Sequence, residues 1–202
     1  MRKDLIAMDK ILIIIDMQNF FITGRLGTSE SHAIVPAVVD KIKGFEGLVY
    51  VTQDINPHCE EGSFGFDIHP QIKAVLPANT VYITKRTFGS VDLVQTISSK
   101  YADAGASDGS AGSAGGGASD GNAGSAGGGA SGSSADSGGS ALPEIEFCGV
   151  CTHVCVISNA LMMRAFLPKA KIAVDASCCA GLSPELHQAG LDVMRSCRIE
   201  VR

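Results

Sequence analysis

"EFCGVCTHVCVISNALMMRAF", residues 146–166, holds three of the chain's seven cysteines within eight positions and changes its period halfway along. With the two residues ahead of it, its first part reads "EIEFCGV" (144–150), a short apolar run of strand length. Its second part, "THVCVISNALMMRAFL" (152–167), places apolar residues at helical spacing. A strand that passes into a helix within one or two residues is half of a strand-helix-strand unit, and that unit builds parallel sheets.

The rest of the chain repeats the unit. "ILIIID" (11–16), "LVYVT" (48–52), "VYITK" (81–85), "KIAVDA" (171–176) and "RIEV" (198–201) read as further strands. Most are continuously apolar, as strands covered on both faces should be. Helical spacing returns in "SHAIVPAVVDKIKGF" (31–45), "VDLVQTISSKY" (91–101) and "SPELHQAGLDVMRSC" (183–197), the last opened by Ser183 and Pro184 as cap and first-turn residue. Alternation of this kind predicts an α/β fold: a doubly wound, mainly parallel six-stranded sheet with helices on both faces.

One stretch is of another kind. Residues 103–141 hold only Gly, Ala, Ser, Asp and one Asn, and contain 14 of the 24 glycines. "GASDGSAGSAGG", "GASDGNAGSAGG" and "GASGSSADSGGS" follow at a period of 12. A solenoid needs larger apolar residues between its repeats, so this composition predicts a flexible low-complexity insertion. Closing a loop of this length costs roughly 2 kcal/mol more than closing a five-residue one. Residues 1–102 and 142–202 can therefore form a single domain.

Composition narrows the partners. A net charge of -5 and a pI near 5.5, without basic clusters, give no footprint for nucleic acid or an anionic membrane surface. The apolar run near the start is short and interrupted by acids, so neither a signal peptide nor a membrane span is expected there. Seven cysteines at irregular spacing do not resemble a secreted disulfide framework. The expectation is a cytoplasmic protein acting on a small molecule.

Ligand sites of doubly wound sheets lie beyond the carboxyl ends of the strands. Asp16 ends the first strand, Asp54 follows the second, Lys85 ends the third, and Cys151 and Cys155 follow the fourth. A carboxylate, an ammonium and a thiol at neighbouring strand ends make a base, an electrostatic partner and a nucleophile. Taken singly, each also has a plainer reading: a loop cap, a solvated lysine, a packed thiol. Thr152 as N-cap would put Cys155 in the first helical turn, where free N–H groups and the dipole favour thiolate and can receive an oxyanion. A metal cage of Cys148, Cys151 and Cys155 is the rival, but it lacks an evident fourth ligand. Cys148, Cys178, Cys179 and Cys197 read as packing.

"IIIDMQNFF", "TKRTFGS", "CGVCTHVCVISNA" and "VDASCCAG", in this order, resemble the nicotinamidase and isochorismatase-like cysteine hydrolases over nearly all of the chain outside the insertion. The resemblance implies an isochorismatase-like fold and hydrolysis of a small linear or heteroaromatic amide. It implies Cys155 as nucleophile, Asp16 as general base and Lys85 as the charge that steadies them. It further implies a cis peptide between Val150 and Cys151, an oxyanion hole from the N–H groups of Cys151 and Cys155, and Phe21 against the substrate. Isochorismatases proper lack the cysteine, which favours amide hydrolysis.

Departures concern the metal that nicotinamidases bind. "TQDINPHCEEGSFGFDIHP" keeps Asp54 and His58 as candidate zinc ligands, but Asn56 stands where a histidine is expected. His69 opens the next helix and reads as a surface residue; His153, beside the nucleophile, either tunes its charge or caps a helix. Two further readings stand beside the amidase: a catalytically weak or inactive binding or scaffold protein, and a thiol redox sensor using Cys151 and Cys155. The resemblance also implies a possible homo-oligomer.

Overall fold

The computed structural model describes residues 10–104 and 142–202. Six strands form one sheet: β1 (Lys10–Ile15), β2 (Leu48–Asp54), β3 (Val81–Lys85), β4 (Glu144–Val150), β5 (Lys171–Ala180) and β6 (Glu200–Val201). Their order is β3-β2-β1-β4-β5-β6, and every neighbouring pair is parallel. The anticipated doubly wound sheet is therefore present, with its reversal of winding between β1 and β4. β1 lies in the middle with Ile11 to Ile15 wholly buried, which is why five consecutive isoleucine and leucine side chains can be accommodated on both of its faces.

The helices are α1 (Asn19–Ile22), α2 (Ser29–Ala33), α3 (Val35–Gly44), α4 (Pro70–Lys73), α5 (Val91–Ser98), α6 (Ile157–Phe166) and α7 (Pro184–Ser196). α3 packs with α4, whereas α5, α6 and α7 pack in succession against one another. Lys41 of α3 reaches Glu146 of β4 at 3.0 Å and Asp175 of β5 at 2.7 Å, tying that helix to the sheet.

Local chemistry moved several boundaries. The helix expected over 31–45 is two helices that meet at Ile34. Thr28 caps the first through a reciprocal capping box with Ser31. Pro36 stands in the first turn of the second; it has no N–H to continue the earlier helix, so the ladder restarts there. β5 runs four residues beyond the expected strand, with a register irregularity against β4 between Phe147 and Gly149. Of the low-complexity stretch 103–141, only Asp103 and Ala104 are described, at the end of a 3-10 turn over Ser99–Ala104; the remainder lies outside the described residues. Among the described residues no helix is long and apolar enough to cross a membrane.

Candidate functional site

β1, β2, β3 and β4 deliver their carboxyl ends to one place. Asp16 follows β1 with φ 50, a left-handed conformation that a non-glycine residue adopts only when its surroundings enforce it. The enforcing bonds are visible: the Asp16 N–H donates to Thr52 O at 3.3 Å and Thr52 Oγ1 donates to Asp16 Oδ1 at 2.7 Å. Lys85, at the end of β3, sets its Nζ 2.7 Å from Asp16 Oδ2, 3.1 Å from Asp54 Oδ2 and 3.6 Å from Cys155 Sγ. Both members of the Asp16–Lys85 pair are closed to solvent. Asp16 Oδ2 faces the Lys85 ammonium, and the Asp16 carboxyl also interacts with the Cys155 thiol.

The approach of β4 depends on Gly149. It pairs with Ile15 at φ 116, and a Cβ there would collide with the Ile15 carbonyl oxygen. Beyond it the Val150–Cys151 peptide is cis, as the resemblance implied. The next turn differs from expectation. Cys151, not Thr152, occupies the capping position, and its carbonyl accepts from Val154 N at 3.0 Å and Val156 N at 3.2 Å, giving a π turn over Thr152–Val156. Thr152 is inside that turn, its Oγ1 2.8 Å from His187 Nδ1 of α7.

Electrostatics also departs from the expected thiolate. Burial, and then the Asp16 charge, lift the Cys155 thiol above its ordinary range, against the pull of Lys85. Burial raises the Asp16 carboxyl as well, opposed by Lys85. The Lys85 ammonium is disfavoured by burial, yet Asp16, Cys155 and Asp54 outweigh this and hold it above the usual lysine range. Thiol and carboxyl thus each hold a proton more readily than usual, beside an ammonium whose charge its neighbours favour. Cys151 is pushed up to about 11, mainly by burial.

This group opens on a hollow of about 480 Å³ whose lining includes Phe20, Phe21, Phe88, Val154, Cys151 and Cys155. Phe21 belongs to this lining, with Phe20 edge-on to it at 5.0 Å. A second hollow, of about 410 Å³ and bordered by Tyr101, Leu142 and Phe166, has no carboxylate or thiol in its lining.

The proposed metal ligands are otherwise engaged. Asn56 Nδ2 donates to Asp54 Oδ1 at 2.7 Å while Lys85 holds Oδ2, so both carboxylate oxygens have partners. His58 has the guanidinium of Arg25 3.3 Å from Nδ1 and 3.5 Å from Nε2, a cation where a zinc ion would need a free nitrogen. No group of three His, Cys, Asp or Glu among the described residues could complete a site. The residues present do not fit zinc.

Two histidines also sit differently than anticipated. His69 does open α4, but it is buried rather than on the surface: its N–H donates to Met17 O at 2.9 Å, and the Gln18–Ile68 bridge clamps the segment to the end of β1. His153 lies against α7, whose Gly190 leaves no room for a Cβ beside the His153 backbone.

Two positioning residues carried no sequence signal. Gln18, wholly buried, accepts from Asp54 N at 2.7 Å and donates to Asp54 O at 3.0 Å and Phe66 O at 3.1 Å, locking the ends of β1 and β2 together. Asn159, also wholly buried, accepts from Ser90 N at 2.9 Å and donates to Phe88 O at 3.0 Å and Cys155 O at 2.7 Å, joining the turn that carries Cys155 to the loop after β3.

The family model described as Isochorismatase domain matches residues 10–103 and 139–202. Among solved structures, the pyrazinamidase of Pyrococcus horikoshii in complex with zinc is similar at 19% identity and TM-score 0.67, over 96% of this chain and 98% of that one. The nicotinamidase of Bacillus subtilis is similar at 18% identity and TM-score 0.66, over 96% and 99%. A protein of L. infantum in complex with nicotinate gives 15% identity and TM-score 0.67, over 97% and 93%. No curated protein matches.

Proposed function

The chain belongs to the isochorismatase family, and on that premise we propose that it is a cysteine-dependent hydrolase of a small amide, acting through a thioester on Cys155. The observation that carries this reading is the buried contact of Cys155, Lys85 and Asp16 at the strand ends, opening on an apolar hollow of small-molecule size. Two proteins of similar structure, a pyrazinamidase and a nicotinamidase, support the same bond as the target.

In this mechanism Asp16 takes the thiol proton as Sγ attacks the amide carbonyl. The tetrahedral oxyanion is received by the N–H groups of Cys151 and Cys155. Collapse breaks the C–N bond, and the amine or ammonia leaves with the proton that Asp16 held. Asp16 then draws a proton from water, whose oxygen attacks the thioester; the acid departs and the thiol is restored. Lys85 remains charged throughout and keeps Asp16 anionic despite its burial. Raised pKa values on thiol and carboxyl suit a concerted transfer better than a standing thiolate.

Ammonia release from a panel of small amides, nicotinamide included, measured with added zinc and with chelator, tests the reading. Release from at least one amide, unchanged by chelator, is expected. Silence across linear and heteroaromatic amides would favour the scaffold instead.

A further inference from the structure

Arg86 lines the Cys155 hollow, and Arg25, outside that lining, rests on the ring of His58, a lining residue that the resemblance offers as a metal ligand. We propose that the hollow takes a small amide that also carries a carboxylate, bound at the mouth by Arg86 and by Arg25 braced on His58. The proposal rests on the amidase reading and names its substrate class.

Charge bookkeeping around the hollow leads there. Asp54, the one acid in the lining, shares the Lys85 ammonium at 3.1 Å with the buried Asp16 at 2.7 Å, so these three groups keep one negative charge against the two arginines. Arg86 is also in the lining and has no ion pair among the described residues. Arg25 contacts only the His58 ring, at 3.3 and 3.5 Å, and likewise lacks a carboxylate within ion-pair distance among those residues. Glu60 and Glu61 border a neighbouring depression with Arg86 without pairing to it.

Both arginine supports are held in place. The loop carrying Arg25 is fastened by Gly24 N to Asn19 O at 2.7 Å and Leu26 N to Phe20 O at 3.1 Å. His58 is set by its N–H to Asn56 Oδ1 at 3.0 Å. Deeper in, Phe20, Phe21 and Val154 offer a substrate no partner for a charge, so an anionic group must stay at the mouth while the amide lies over Cys155. A planar guanidinium fork matches a carboxylate in two hydrogen bonds, whereas a metal would favour the lone pair of a neutral ring nitrogen.

Alkylation of Cys155 by iodoacetamide, followed by peptide mass, reads occupancy of the hollow without needing turnover. Benzoate and benzamide serve as protecting ligands, and 3-carbamoylbenzoate and benzamide as paired amides for ammonia release. Benzoate is expected to protect at concentrations about ten-fold below benzamide, and kcat/KM to favour 3-carbamoylbenzoate by a similar factor. In the Arg25→Gln, Arg86→Gln double variant, both exposed positions, each ratio should fall toward one. Equal protection by the two ligands, or a preference that survives the double substitution, overturns the proposal. Benzoate protection that depends on the arginines, with no ammonia from any amide, keeps the anion site and sinks the amidase reading.

Discussion

Asp16 has three parts at one position: it follows the central strand at φ 50, pairs with Lys85 at 2.7 Å and, in the proposed mechanism, takes the thiol proton. Its charge also raises the Cys155 thiol, which gives the substitution Asp16→Asn two opposite effects. Removing the carboxylate leaves Lys85 as the dominant charge beside Sγ, so the thiol ionises more readily and iodoacetamide alkylation at pH 8 should speed up several-fold. Amide turnover should fall by about 100-fold or more, because the proton acceptor is gone. A variant that loses both together would place Asp16 in a purely structural role. Asn159→Ala is a second test at this scale. It strands the Ser90 N–H and the Phe88 and Cys155 carbonyls, and thermal unfolding should show a loss of about 1–3 kcal/mol. Asp16, Lys85 and Cys155 were legible in the sequence because strand ends of a parallel sheet are privileged positions. Gln18 and Asn159 were not, since a buried amide looks like any surface amide until the backbone groups it serves are assembled around it.

At the scale of elements, α7 and the π turn before α6 meet through Thr152, His153 and His187. Burial lowers the pKa of both histidines, and for His187 the neighbouring His153 adds to it. A histidine whose folded pKa is depressed binds fewer protons folded than unfolded. Its contribution to stability is thus complete above the unfolded value near 6.5 and is lost as pH falls through the folded value. Melting temperature should decline on acidification from pH 7 to 5, and His187→Gln should make that decline shallower; an identical slope would exclude this contact as its source. The strands were readable as continuous apolar runs, and β1 matches that pattern from Ile11 to Ile15. The π turn was not, because a threonine ahead of a helical pattern ordinarily signals a cap. Here its hydroxyl is drawn off to His187 instead. The break at Ile34 had a visible marker in Pro36, outweighed by the helical spacing on either side of it.

Over the whole molecule, the family match passes over residues 104–138 and resumes on the other side. The parallel pairing of β4 with β1 joins the two matched portions into one sheet, with Ile14 opposite Cys148 and Ile15 opposite Gly149. The chemistry is divided in the same way: Asp16 and Lys85 precede the low-complexity stretch and Cys155 follows it. Excision of 105–141 with a short Gly-Ser bridge should leave amide turnover in place and raise the melting temperature by up to about 4–8 °C, since the closure term is roughly 2 kcal/mol in favour of the shorter loop. A collapse of either would give that stretch a part in the fold. Substrate choice is the level at which sequence spacing was least informative. Arg86 in the lining and Arg25 on the His58 ring come from separate loops, and only the folded chain sets them near one hollow.

The claim on which the rest depends is that the sulfur of Cys155, and not its neighbour's, performs the attack. Ammonia release should be measured side by side for the wild type, Cys155→Ala and Cys151→Ala on the best amide of the panel. The mechanism predicts loss to background in Cys155→Ala and retained release in Cys151→Ala, where only the backbone N–H is used. Release that persists without the Cys155 thiol, or that vanishes equally in both variants, would contradict it.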